Sequence, residues 1–119
     1  MNKRELEIRT KKFAHDCVKV ALSFPENPLG RHIRGQLIRC STSVAANYRA
    51  ANLAHSKAAF AAKLSIVIEE ADESAFWLEF ATDEKLLIES SSLSLIKEAS
   101  ELTSIFISSR KSIQQENNK

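Results

Sequence analysis

The chain contains few residues that can end a helix or form a tight turn. Only two glycines and two prolines occur among its 119 residues. A β-sandwich or barrel of this length needs many tight turns, and those turns depend on glycine and proline. Hydrophobic residues make up 44% of the sequence, too many for a disordered chain and enough for one compact core. We therefore predict an all-α fold with a single domain over residues 1–119.

Apolar residues recur three and four positions apart in four segments, which is the spacing of amphipathic helices. The first segment is stopped by Pro25 and Pro28, because proline lacks an amide donor and disfavours a helical residue before it. Gly30 then supplies a flexible exit. The second segment runs from about residue 31 to residue 54. Gly35 within it costs about 1 kcal/mol relative to alanine and so indicates a close helix contact.

The third segment runs from about residue 57 to residue 82, with Ser56 as its N-cap after a short break. One long helix that continues through residues 55 and 56 is the alternative. The pattern loosens between residues 83 and 92, where one of the serines at 90–92 caps a fourth segment. Polar residues from about Gln114 onward form a tail that we expect to be frayed. The apolar stripes consist of Leu6, Phe13, Cys17, Val20 and Phe24; Ile33, Leu37, Cys40, Val44, Tyr48 and Ala51; Phe60, Leu64, Val67, Ala71, Ala75 and Leu78; and Leu95, Ala99, Leu102, Phe106 and Ile113.

These spacings suit nearly parallel helices packed at about 20°. Because the connections are short, consecutive helices should run in opposite directions, which predicts an up-down-up-down four-helix bundle.

The third segment has a second apolar face. Ile66, Trp77 and Phe80 fall well round the helix from its main stripe, at about 100° per residue. A helix that is apolar on two faces is usually buried on two sides. In a domain this small, we expect Ile66, Trp77 and Phe80 to form a subunit interface.

The net charge of +2 conceals an asymmetry between the two halves of the chain. Residues 1–63 carry twelve lysines and arginines against four acids, whereas residues 64–119 carry five against eleven. A basic half can bind phosphates or can face the acidic half of the same protein.

Basic side chains of the second segment are the candidate nucleic-acid-binding residues. Its arginines span about 140° of the helix, opposite the apolar stripe, and form a ridge that two lysines extend. A solvated face, or ion pairs between subunits with acids of the third segment, is the alternative interpretation. The candidates are Arg31, Arg34, Arg39, Arg49, Lys57 and Lys63.

The third segment carries a cluster of acids over residues 69–73. A di-iron bundle would also need a Glu-x-x-His motif on two helices, and no histidine here follows a glutamate at that spacing. We therefore predict no metal site. We expect structural ion pairs instead, in which Glu69 and Glu73 accept hydrogen bonds from Arg39.

Cys17 and Cys40 stand on the core stripes, and we expect both to be packed, reduced thiols. The N-terminus lacks the apolar run of a signal peptide, and no stretch is long and apolar enough to span a membrane. We expect a cytoplasmic protein with no membrane partner.

Several motifs resemble a known family. The chain reads QLIRCSTSVAANY at residues 36–48, RAA at 49–51, SKAAF at 56–60 and KLSIVIEEADESAFWLEF at 63–80. These motifs are similar to the bacterial four-helix bundle family named for proteins encoded within intervening sequences of 23S rRNA genes. The block EEADESAFWLE is the most specific of them, and the resemblance extends over roughly residues 13–107.

The resemblance implies a left-handed four-helix bundle that assembles as a homopentamer and has no established enzymatic activity. A related branch, the accessory variability protein of diversity-generating retroelements, pairs a basic pentamer with a reverse transcriptase and nucleic acid. Many family members have a glycine where this chain has Ala50 and Ala51, a departure that fits an unbroken helix end.

Three functions follow from these observations. The leading prediction is a non-enzymatic homo-oligomeric scaffold that binds RNA or DNA through the basic second helix. The second is a protein-interaction scaffold whose arginines only stabilise the oligomer. The third is a ribonuclease of the HEPN class, because Arg49–His55 and Arg9–His15 both have its R-x5-H spacing. With no better motif, we predict no catalytic residue, cofactor or small-molecule substrate.

Overall fold

Four helices account for nearly all of the chain in the computed structural model, which describes residues 1–117. They are α1 (Lys3–Leu22), α2 (Pro28–Ala51), α3 (Lys57–Asp83) and α4 (Glu89–Asn117). The described residues contain no β-strand. The all-α fold predicted from the scarcity of turn-forming residues is confirmed.

The helices pack side by side into an elongated bundle of 52 × 21 × 21 Å. Each helix contacts its neighbours in sequence, and α1 closes the ring against α4 over a more limited contact. The diagonal pairs, α1 with α3 and α2 with α4, make no comparable contact within the described chain. This arrangement is a four-helix bundle, as the spacing predicted; its left-handed sense stays a prediction.

An ion-pair cluster joins α1 to α4 where their packing is limited. Arg9 donates from Nε and Nη2 to the two carboxylate oxygens of Glu98, at 2.7 and 2.6 Å. Its Nη2 also donates to Glu101 at 2.7 Å. A bidentate arginine–carboxylate contact fixes orientation as well as distance, so Arg9 sets how the first helix lies on the last.

The predicted apolar stripes form the core. All of the stripe residues are buried except Val20, Phe60 and Ile113, which are partly buried. The buried serine and threonine side chains were not predicted. Their hydroxyls donate hydrogen bonds to backbone carbonyls of the same helix. Thr10, for example, donates to the carbonyl of Leu6 at 2.8 Å.

The connection between α1 and α2 differs from the prediction. The first helix ends at Leu22, before either proline, and Pro28 is the first residue of α2 rather than a stop signal. Proline suits that position because the first amides of a helix have no intrahelical partner. Asn27 caps the helix by accepting a hydrogen bond from the Gly30 amide at 2.7 Å.

The two glycines have roles other than those predicted. Gly30 lies within α2 and has no positive φ, so it is not a flexible exit. A Cβ there would lie 2.0 Å from the carbonyl oxygen of Pro25, and only glycine allows the turn to pass this close. A Cβ at Gly35 would have no atom within 4 Å, so the predicted close helix contact there is wrong.

The other two connections are partly as predicted. Ser56 is the N-cap of α3 and accepts a hydrogen bond from the Ala59 amide at 3.0 Å, as predicted. The fourth helix begins at Glu89, so the serines at 90–92 lie in its first turn and do not cap it. Its last turn extends to Asn117, through residues expected to be frayed, and residues 118–119 lie outside the described chain.

Candidate functional site

The first two arginines of the predicted basic ridge lie beside an acid. Glu26, in the connection before α2, accepts a hydrogen bond from Arg34, and its carboxylate is 3.9 Å from Arg31. The Arg34 guanidinium holds the pKa of the Glu26 carboxyl below its ordinary value. These two arginines therefore already have a carboxylate nearby at the start of α2.

Arg39 bridges α2 to α3. Its guanidinium donates to Glu70 at 3.0 Å and also to Glu73. The sequence placed Glu69 in this cluster, but Glu69 is exposed and makes no salt bridge in the described part of the chain. Glu70 and Glu73, by contrast, are both partly buried beside Arg39.

The remaining basic candidates do not gather on one surface. Lys57 contacts Glu116 of α4 at 3.0 Å. Arg49 is exposed and Lys63 is partly buried, and neither has a carboxylate within 4 Å among the described residues. Arg31 and Arg49 are separated by roughly 27 Å along the helix at 1.5 Å per residue. The ridge is thus divided into pairs and single cations.

Aromatic side chains of α3 form an exposed cluster. Phe76 is 50% exposed and Phe80 is 37% exposed, although both stand on a well-packed helix. The ring of Trp77 meets those of Phe76 at 4.9 Å and Phe80 at 6.0 Å between centroids. On its other side it contacts His32 of α2, edge to face at 5.6 Å. The cluster is therefore anchored to both helices and open to solvent.

Ile66 continues this surface along α3 and is 38% exposed. The sequence placed Ile66, Trp77 and Phe80 on one face outside the core. It missed Phe76, which is more exposed than Trp77 and contacts both aromatic neighbours. The sequence could have predicted it, since Phe76 is an apolar residue that falls outside the main apolar stripe of the third segment.

A groove of about 740 Å³ runs between α1 and α2. Small and apolar side chains supply much of its lining, which explains why the two helices leave space there. These are Ala14, Val18, Thr42, Ala45 and Ala46. Its ionisable lining residues are Glu7, Lys11, His15 and Arg49. Arg49 was among the residues predicted from the sequence, whereas Lys11 and His15 were not, because only packing brings α1 beside the second half of α2.

The two R-x5-H spacings do not form a shared site. Arg9 contacts α4, whereas His15 lines the groove between α1 and α2. His55 lies exposed in the connection after α2. Among residues 1–117, no three His, Cys, Asp or Glu side chains are arranged to hold a metal ion.

None of the described helices has a stretch long and apolar enough to cross a membrane.

The chain is similar in sequence to a known protein family and in structure to a solved protein. A sequence model described as 23S rRNA-intervening sequence protein matches residues 4–108. A crystal structure of a protein of unknown function from the S23 ribosomal protein family of Bacteroides thetaiotaomicron is similar, with a TM-score of 0.85 and 27% sequence identity. That similarity covers 93% of this chain and 99% of the other. No curated protein matches the sequence.

Proposed function

This chain belongs to the 23S rRNA-intervening sequence protein family, and we propose that it is a non-enzymatic scaffold that associates with further copies of itself. The observation that carries the proposal is the exposed aromatic cluster of Phe76, Trp77 and Phe80 on α3. Aromatic residues are enriched at protein interfaces, where they bury large areas with little loss of side-chain freedom. A homopentamer is the expected assembly, from the resemblance described above.

The intrachain ion pairs also favour a scaffold. Three of the four arginines of α2 have a carboxylate within 4 Å in the same chain. A phosphate would have to compete with those carboxylates, which reduces what each arginine contributes to nucleic-acid binding. The acids of α3 are correspondingly occupied in holding the bundle together at Glu70 and Glu73.

Analytical ultracentrifugation of the purified chain tests the proposal. We expect a discrete species with the mass of five chains at micromolar concentration. A monomer at every concentration up to the millimolar range would overturn the scaffold proposal, because no interface would then exist.

Nucleic-acid binding is a second candidate function. It is favoured by Arg49 and Lys63, which have no carboxylate within 4 Å among the described residues, and by the half-exposed Arg31. Labelled RNA titrated over a salt series would show a steep, linear loss of log affinity if phosphates are contacted. Replacing Arg31, Arg34 and Arg49 by glutamate should then abolish binding and leave the oligomer intact. Absence of binding at low salt, with the oligomer intact, would exclude this function.

A further inference from the structure

The outer face of α3 combines apolar side chains with an acid, Glu69, that has no salt bridge within the described chain. We define the α3 ridge as Ile66, Glu69, Phe76 and Phe80, all of which are exposed. Glu69 makes no salt bridge within the described chain, unlike Glu70 and Glu73 beside it. The ridge is therefore an amphipathic helix face with both apolar surface and free negative charge.

The α1–α2 groove has the opposite character. Its apolar part is built from small side chains such as Ala45 and Ala46, so a larger side chain from outside can enter it. Lys11, His15 and Arg49 line the same groove and are exposed, and none of them has a carboxylate within 4 Å in the described part of the chain.

Glu7 is the one acid of the groove, and its carboxylate already accepts a hydrogen bond from the side-chain amide of Asn52 at 2.9 Å. The groove therefore presents an apolar recess with unpaired positive charge. An acidic amphipathic helix is the ligand that matches both properties, and the α3 ridge is a helix face of that kind.

One molecule cannot bring its own ridge and groove together. The ridge is on α3, which lies diagonally across the bundle from α1 and makes no comparable contact with it. Contact between the two surfaces therefore requires two copies. The copy that supplies the ridge keeps a free groove, and the copy that supplies the groove keeps a free ridge. Such a head-to-tail contact generates a ring when the rotation closes.

We propose that the α3 ridge of one copy docks into the α1–α2 groove of the next. Phe76 and Phe80 enter the recess beside Ala45 and Ala46, and Glu69 faces the basic residues that line it. The inference rests on the proposed scaffold function and specifies its interface. It explains why the aromatic cluster and the groove are both left open in a single chain.

Two blocked variants test the pairing. Ala46→Glu places a larger, acidic side chain in the groove, and Phe76→Lys removes a ridge aromatic and adds a positive charge. Both new residues are good helix formers at exposed positions, so the bundle should fold. Ser100→Glu and Leu93→Lys make the same kinds of change at exposed positions of α4 and serve as matched controls.

Each blocked variant alone should lose the oligomer, with at least a tenfold weaker association measured by sedimentation, while both controls keep it. An equimolar mixture should form dimers and nothing larger, since one chain supplies the intact ridge and the other the intact groove. If Ala46→Glu assembles like the wild type, the inference is wrong even though the scaffold stands. If the wild type itself is monomeric, the scaffold proposal falls first.

Discussion

Two cysteine thiols, those of Cys17 and Cys40, are buried in the core of the bundle. Ser74 donates a hydrogen bond to the Cys40 sulfur at 3.3 Å. Burial raises the pKa of Cys17 to about 12 and that of Cys40 to about 11. Both thiols therefore stay protonated and unreactive in the folded chain at neutral pH.

The raised pKa values predict a loss of stability in alkali. The folded state holds both thiol protons above pH 9, where an unfolded chain releases them, so unfolding becomes more favourable as pH rises. We expect each thiol to cost about 1.4 kcal/mol of the unfolding free energy per pH unit between pH 9 and its folded pKa. Urea titrations at pH 7, 9 and 10.5 measure the effect.

A variant with Cys17→Ala and Cys40→Ala is the control for this prediction. Burial also raises the pKa of Tyr48, so a smaller alkaline loss with the same sign should remain in the variant. Equal pH dependence in the two proteins would show that the thiols do not contribute.

At the scale of single helices, the sequence predicted where most elements lie and which side of each is buried. Periodic apolar spacing reports the core side directly, because it is a local property of a helix. The boundary at Pro28 was wrong, since proline can start a helix as well as stop one. The choice depended on Asn27, whose side chain caps α2.

Replacing each of the two glycines of α2 by alanine should change stability in opposite directions. Gly30→Ala should destabilise the chain by about 1–3 kcal/mol, because its Cβ would overlap the Pro25 carbonyl oxygen and force the turn to move. Gly35→Ala should stabilise it by about 0.5–1 kcal/mol, because alanine favours the helix and meets no neighbour there.

Urea midpoints of the two glycine variants, compared with the wild type, measure both effects. Equal midpoints for the two variants would contradict the close approach at Gly30.

For the whole molecule, the proposed assembly links stability to concentration. If only the folded chain associates, mass action stabilises the folded state relative to the unfolded state. We expect the thermal midpoint to rise with protein concentration. The free energy of unfolding should increase by at most about 1.4 kcal/mol per tenfold increase in concentration for each interface.

Differential scanning calorimetry from 5 to 500 µM, about two decades of concentration, measures this dependence, and the Phe76→Lys variant should show none. A wild-type midpoint independent of concentration would contradict a reversible folded oligomer.

The amino-acid sequence was enough to predict the four helices, their buried faces and the family. Helical periodicity is local, and the block at residues 69–79 carries the family resemblance that the match over residues 4–108 confirms. Which charges pair is seen only in the folded bundle, because pairing depends on how the helices lie against one another. Arg39 pairs with Glu70 and Glu73 and not with Glu69, although the three acids lie within about 100° of one another round α3. The same packing leaves the groove and the aromatic cluster open, which no spacing along one helix can specify.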